Sequence, residues 1–227
     1  MRSRPTIFIS ALSAGVFLLL LAGCSTTTIE KRDNQGKLRV RYQAVIRGSD
    51  TIRHGIATEY YPDGAVRSVV HFQMGKKHGP YRIFLQDGRI WKAGKYRNDM
   101  REGRYTEWFA NGKKFAEYHF LHNRKNSAYR EWDTTGALVY SCEYKRGKKH
   151  GPAVRRRPDG SVAMREFFKR GKRHGRSVLF DRSGAVISER AFLNGVEVEP
   201  RKFDSLAALP PSSVPPTARQ YDNDSTE

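Results

Sequence analysis

The feature that most constrains this chain is a spacing. His54-Gly55 returns as His78-Gly79, His150-Gly151 and His174-Gly175, with Glu102-Gly103 and Asn126-Ser127 between them, so the interval is 24 residues throughout. A second column holds Gly64, Gly88, Gly112, Gly136, Gly160 and Gly184, and a third holds the rings of Phe72, Tyr96, Phe120, Tyr144, Phe168 and Phe192. Columns kept in step over six units decide the architecture before any single residue does, because a chain of this period buries its apolar side by stacking each unit on the next.

Each unit splits into two short segments at turn chemistry, for example Tyr81 to Leu85, then Gln86-Asp87-Gly88, then Arg89 to Tyr96. Neither segment is long enough for a stable helix. Pro-Asp-Gly at 62–64 and 158–160 and Asn111-Gly112 are hairpin chemistry. The second segment alternates: Val66, Val70 and Phe72 share one face, as do Leu138, Tyr140, Cys142 and Tyr144, with Arg67 and His71 opposite. Period two means strand. The first segment carries rings on both faces, such as Tyr105, Trp108 and Phe109, which implies a sheet needing some cover on each side.

Gly-Lys-Lys-His-Gly at 75–79 and 147–151 reads as the turn joining one hairpin to the next. The expected fold is all-β: an elongated antiparallel array of about six 24-residue β-hairpin repeats over residues 54–197. Residues 37–53, where Leu38, Val40 and Tyr42 alternate, read as an N-terminal cap or degenerate repeat out of register. Residues 198–227, with Pro210-Pro211 and Pro215-Pro216, read as a disordered Pro-rich tail.

These columns resemble the variant form of the MORN repeat, in its bacterial version. The resemblance is carried by the mid-unit glycines, by Tyr81, Tyr105 and Tyr129 after the opening glycine or its equivalent, and by the rings of Tyr60, Phe84, Trp108, Trp132 and Phe180. The fourth unit departs with Asn126-Ser127, and the fifth with Ala153 and Arg156 where rings would stand. The resemblance implies a hairpin array used for membrane or protein association and brings no catalytic residues. Its bacterial relatives are often described as antitoxin-like, which implies an alternative role as an antitoxin or immunity-type protein that sequesters a toxin.

The first residues read as an address. Met1 to Pro5 carry two arginines, the apolar run Ile7 to Leu20 is too short to be kept as a span, and it ends in Leu21-Ala22-Gly23-Cys24. That ending resembles the lipobox of bacterial lipoproteins. It implies a signal peptide over 1–23, acylation of Cys24 (palmitate among the acyl chains), and a tether over 24–36. Ser25 stands where a retention aspartate would, so the resemblance further implies transfer to the outer membrane, on its periplasmic face. With Cys24 used, Cys142 is left alone, which removes any intramolecular disulfide and predicts a packed thiol rather than a nucleophile.

Lys and Arg number 42 against 23 Asp and Glu, a formal charge of +19 that calls for anionic partners. For an exported chain these are lipid headgroups or an acidic protein or toxin, not nucleic acid. The charge concentrates between Lys145 and Arg176. The candidate anionic-partner residues are Lys145, Arg146, Lys148, Lys149, Arg155, Arg156, Arg157, Lys169, Arg170, Lys172 and Arg173. The histidine column predicts a turn role, since equivalents two strands, ~9 to 10 Å, apart do not share a metal. No metal or cofactor is expected. The column Glu59, Glu107 and Glu131 has the same spacing, too wide for paired acid–base work, and predicts cross-strand pairing with lysine or arginine. Asp63, Asp87 and Asp159 belong to turns. Without any phosphate loop, dinucleotide fingerprint or Gly-x-Ser-x-Gly, the chain reads as a non-enzymatic binding scaffold anchored to a membrane.

Overall fold

The computed structural model describes residues 17–19 and 26–201. The strands in chain order are β1 Phe17–Leu19, β2 Thr26–Arg32, β3 Leu38–Arg47, β4 Asp50–Tyr60, β5 Val66–Gln73, β6 Lys76–Phe84, β7 Ile90–Arg97, β8 Met100–Trp108, β9 Lys114–Leu121, β10 Arg124–Trp132, β11 Leu138–Lys145, β12 Lys148–Arg156, β13 Val162–Lys169, β14 Lys172–Arg173, β15 Gly175–Phe180, β16 Val186–Leu193 and β17 Val196–Val198. The fold is all-β and built of antiparallel hairpins, as the periodicity requires. Two compact units divide it: residues up to Asn126 with Glu131–Gly136, and Ser127–Arg130 with residues from Ala137. In the first, β2 to β9 pair in sequence order, each antiparallel to the next. In the second, β11 to β13 and β15 to β17 do the same, with β14 and β15 both against β13.

Two kinds of turn alternate along the chain. The Asp-Gly kind is seen at Tyr61 to Gly64, where the Gly64 N–H donates to the Tyr61 carbonyl at 3.0 Å and Asp63 Oδ1 accepts the Ala65 N–H at 3.0 Å. Gly64 has φ +92°, a conformation in which any Cβ is strained. The second kind has two central residues, both left-handed: Met74-Gly75, Asn98-Asp99, His122-Asn123, Arg146-Gly147, Arg170-Gly171 and Asn194-Gly195, with φ between 47° and 96°. This is the type I′ hairpin turn, whose twist matches that of its strands. The N–H of the second residue then donates to a carbonyl on the strand leaving the preceding turn: Gly75 to Arg53 at 2.7 Å, Asp99 to Lys77 at 2.9 Å, Gly171 to Lys149 at 2.8 Å and Gly195 to Arg173 at 2.8 Å.

Two expectations change. The turn occupies 74–75 and 146–147, so Lys-Lys-His-Gly already belongs to β6 and β12. The glycine after each histidine makes a bulge instead: between Tyr81 and Lys77, β6 advances four positions while β5 advances two, from Val70 to Phe72. A left-handed glycine serves a bulge as well as a turn, and spacing alone does not separate them. Secondly, the expected tether at 24–36 contains β2, paired with β3 from Thr26↔Val45 to Arg32↔Leu38. Thr27 and Ile29 point inwards and are 4% exposed, and Ile29 packs with Tyr42, Ala44 and Ala57. The alternation of a short Thr-rich strand supplies this burial. The expected signal peptide lies outside the described residues apart from β1, which runs antiparallel to β2. Cys24 and residues 202–227 also lie outside them.

Rings fill one face of each unit. Tyr81, Tyr105 and Phe120 are buried in the first, with centroids 5.4 Å apart for Tyr81–Tyr105 and 4.8 Å for Tyr105–Phe120. Tyr140, Cys142 and Ala153 are buried in the second, packed by Tyr129, Tyr144 and Phe168, so Cys142 is a packed thiol. Gly94 stands where other units carry Val70, Tyr118 and Cys142, and a Cβ there would lie 2.7 Å from the Tyr105 ring. Gly94→Val is expected to cost about 1–3 kcal/mol by overpacking, read as a lowered urea midpoint at unchanged slope.

Burial pushes the Tyr81 hydroxyl up to about 12, and burial also raises those of Tyr105 and Tyr118. Because the fold favours the neutral phenol, this contribution is intact below about pH 10 and falls away as pH climbs from there through the raised values. Tyrosinate absorbance followed together with circular dichroism is expected to show ionisation and unfolding in the same alkaline window. Ionisation at about pH 10 with the sheet intact would contradict it.

Candidate functional site

In the second unit the turns Arg146-Gly147 and Arg170-Gly171 stack. Besides the Gly171 N–H bond to Lys149, a Cβ on Gly171 would touch the Lys148 Cβ at 3.6 Å. These two turns and the strand ends beside them present Lys145, Arg146 and Lys148 and, one repeat on, Lys169, Arg170 and Lys172, all exposed. The next position inwards behaves differently. Lys149 Nζ lies 5.2 Å from the Phe168 ring centroid and donates to the Tyr140 hydroxyl at 2.8 Å. Arg173 lies 5.2 Å from the Phe192 centroid, and its Nε pairs with Glu166 at 2.8 Å. Lys149, half-buried, therefore serves the packing, whereas Arg173 lies over its ring and still keeps an exposed side chain.

Arg155 and Arg156 stand at the far end of β12 and Arg157 just beyond it, roughly 23 Å or more from Lys148 at ~3.3 Å per residue. The candidate residues thus form two groups. Arg157 is occupied by the fold: it donates to the Val162 carbonyl at 3.0 Å, to Ser161 Oγ and the Asp181 carbonyl at 3.3 Å, and to the Phe180 carbonyl. Its equivalent in the first unit, Tyr61, donates its hydroxyl to the equivalent carbonyl, that of Phe84, at 2.8 Å. Arg157 fills a tyrosine's place in the same bond. Arg155 is exposed, 5.0 Å from the Tyr140 centroid. Arg156 is half-buried, 3.3 Å from Ser141 Oγ, and burial together with the nearby Arg165 charge holds its guanidinium below the usual range.

One column escaped the sequence reading. The residue before each His-Gly or its equivalent is basic, Arg53, Lys77, Arg101, Lys125, Lys149 and Arg173. Each lies over a ring, at distances such as 5.4 Å for Arg53 on Phe72, 5.3 Å for Lys77 on Tyr96, 4.1 Å for Arg101 on Phe120 and 4.4 Å for Lys125 on Tyr118. Such contacts contribute about 0.5–1 kcal/mol each, more where water is excluded. The signal was there as an unbroken basic position.

The histidines stand on strands or just before them and reach the turns with their rings: His54 Nδ1 accepts the Met74 N–H and His174 Nδ1 the Asn194 N–H, both at 3.4 Å. Glu102, in the same column, accepts the His122 N–H at 3.2 Å. Among the acids, Glu107 pairs with Lys92 across the strands at 3.2 Å and accepts from Tyr118, whereas Glu59 accepts the Ser68 hydroxyl at 3.2 Å rather than a cation. Among the described residues no group of three or more His, Cys, Asp or Glu is placed to hold a metal, and no helix is long and apolar enough to cross a membrane.

The repeat recognised in these hairpins has a family. The MORN repeat matches residues 140–162 and 167–184, and the MORN repeat variant matches 53–74 and 101–122. The chain carries MORN repeats. Matched MORN segments lie in both units, and MORN arrays are typically binding scaffolds. No curated protein matches the chain. A porin-like protein from Bacteroides uniformis, a solved structure, aligns over 84% of this chain and 89% of its own at 12% identity, with a TM-score of 0.21, below the level of a shared fold.

Within this MORN array, Arg157→Ala is expected to cost about 2–3 kcal/mol, since it leaves the Phe180 and Val162 carbonyls without their charged donor. Arg157→Tyr is expected to recover part of that loss by restoring the Tyr61-type bond. Urea unfolding of the pair decides it, and equal loss in both would refute the equivalence.

Proposed function

We propose that this MORN-repeat protein is a lipid-anchored scaffold of the cell envelope that binds rather than catalyses. It is acylated at Cys24, sits on the periplasmic face of the outer membrane, and meets anionic headgroups through the basic edge of its second unit. The observation that carries this is the stacking of two turns so that six exposed cations, Lys145, Arg146, Lys148, Lys169, Arg170 and Lys172, share one edge. At about 1 kcal/mol per cation near an anionic bilayer, the group supplies roughly 6 kcal/mol, or about four decades in affinity. Acyl chains, at ~0.8 kcal/mol per buried methylene, keep the array at the surface where this short-range attraction acts. The engagement of Glu59 and Glu107 in structural bonds supports binding over acid–base chemistry.

Two measurements test it. Cys24→Ser is expected to abolish acyl labelling and move the protein from the membrane to the soluble fraction. The purified chain is expected to sediment with phosphatidylserine-containing vesicles at low salt and to be released as salt rises, while substitution of the six turn cations by glutamine removes sedimentation and Arg155→Gln changes it little. Equal sedimentation with neutral vesicles would refute the headgroup reading. Recovery instead of a stoichiometric acidic protein, or protection of cells against one toxin, would move the partner to the protein or immunity alternative.

A further inference from the structure

The first unit holds a groove that the basic edge does not involve. It has a volume of about 590 Å3 and is lined from β3, β4, β5, β6 and β7 and the Tyr61-Pro62 turn. That volume falls in the ~300–1,000 Å3 range of small-molecule sites. Four cations line it, Arg39, Arg53, Arg67 and Lys77, against one carboxylate, Glu59. Arg39 lies 3.7 Å from Asp33, and Glu59 is engaged with Ser68. Arg53, Arg67 and Lys77 have no carboxylate within ion-pair distance among the described residues.

Two of these three are held in place by rings. Arg53 lies 4.9 Å from the Tyr42 centroid and 5.4 Å from that of Phe72, and Lys77 lies 5.3 Å from that of Tyr96. Their positions are set before any ligand arrives, which removes much of the ordering cost of binding. The groove is also walled by Tyr60 and Trp91, and the indole is left 42% exposed although it is the largest apolar surface of its strand. Positive charge with no internal carboxylate gains from an entering anion, most at Lys77, which is half-buried where Arg53 and Arg67 are exposed. Exposed rings beside it gain most from a flat apolar body.

We propose that this groove binds a small organic anion whose acidic group is carried on a flat ring, with the acidic group at Arg53 and Lys77, which flank Phe72, and the ring extending towards Arg67 and Trp91 at the other end. No residue of the site is shared with the basic turns, so the two readings stand or fall separately.

The test uses the full chain and 2-naphthoate as the probe, followed by tryptophan fluorescence and calorimetry. One naphthoate per chain is expected, with 2-naphthylmethanol and inorganic phosphate each at least about tenfold weaker, a difference of ~1.4 kcal/mol. Arg67→Gln, at an exposed side chain, is expected to weaken naphthoate severalfold without moving the thermal midpoint, and Arg53→Gln with Lys77→Gln to remove it. Trp91→Phe should abolish most of the fluorescence change, while Lys169→Gln with Arg170→Gln leaves the affinity as it was. Equal binding of the neutral alcohol, equal loss in the second-unit variant, or no heat at millimolar naphthoate would each overturn the proposal.

Discussion

Much of this structure depends on one hydrogen bond made repeatedly: the N–H of the second residue of a two-residue turn, donated to a carbonyl on the strand that leaves the preceding turn. Ladder bonds join neighbouring strands, but this one joins turns two strands apart, and it holds the register between hairpins that a period-two sheet would otherwise leave free to slip. It requires a left-handed pair at each turn and a bulge a few residues later, which Gly55, Gly79, Gly103 and Gly151 supply at positive φ. At Asn126-Ser127 a serine takes the same left-handed conformation at φ 72°, so the geometry persists where the glycine does not.

Charge in this chain divides by position. Cations one place before a bulge lie over rings, with Lys77, Arg101, Lys125 and Lys149 half-buried and Arg53 and Arg173 still exposed, and cations beside the turns face water. Arg157 makes the same point at the opposite end of the strand, where a guanidinium stands in for the Tyr61 hydroxyl. A count of basic residues therefore overstates the surface open to a partner. Of the run Arg155-Arg156-Arg157, Arg155 is the exposed member.

The strand order, the Asp-Gly turns and the ring columns were legible because each rests on local chemistry that a period exposes: Asp63, Asp87 and Asp159 accept backbone N–H groups within their own turns. The His-Gly pair misled because glycine's freedom is shared by turns and bulges. β2 was hidden because Thr26 to Arg32 lies outside the period and carries one large apolar residue, Ile29. The basic edge was legible as composition, but its separation from Arg155 and Arg156 follows from strand length, which a charge count does not contain. The groove of the first unit was invisible to the columns, since it combines Arg39 and Trp91 with residues of three further strands and belongs to no single register position.

The first residue of each two-residue turn must be left-handed, yet its side chain takes no part in the bond between turns, which the next residue's amide makes. Four different side chains occupy it across the six turns: Met74, Asn98 and Asn194, His122, and Arg146 and Arg170. Such a site is open to drift. A lineage can exchange thioether, amide, imidazole and guanidinium at the tips of its hairpins without disturbing what lies beneath, so selection is free to retune what the protein touches while its framework is inherited intact.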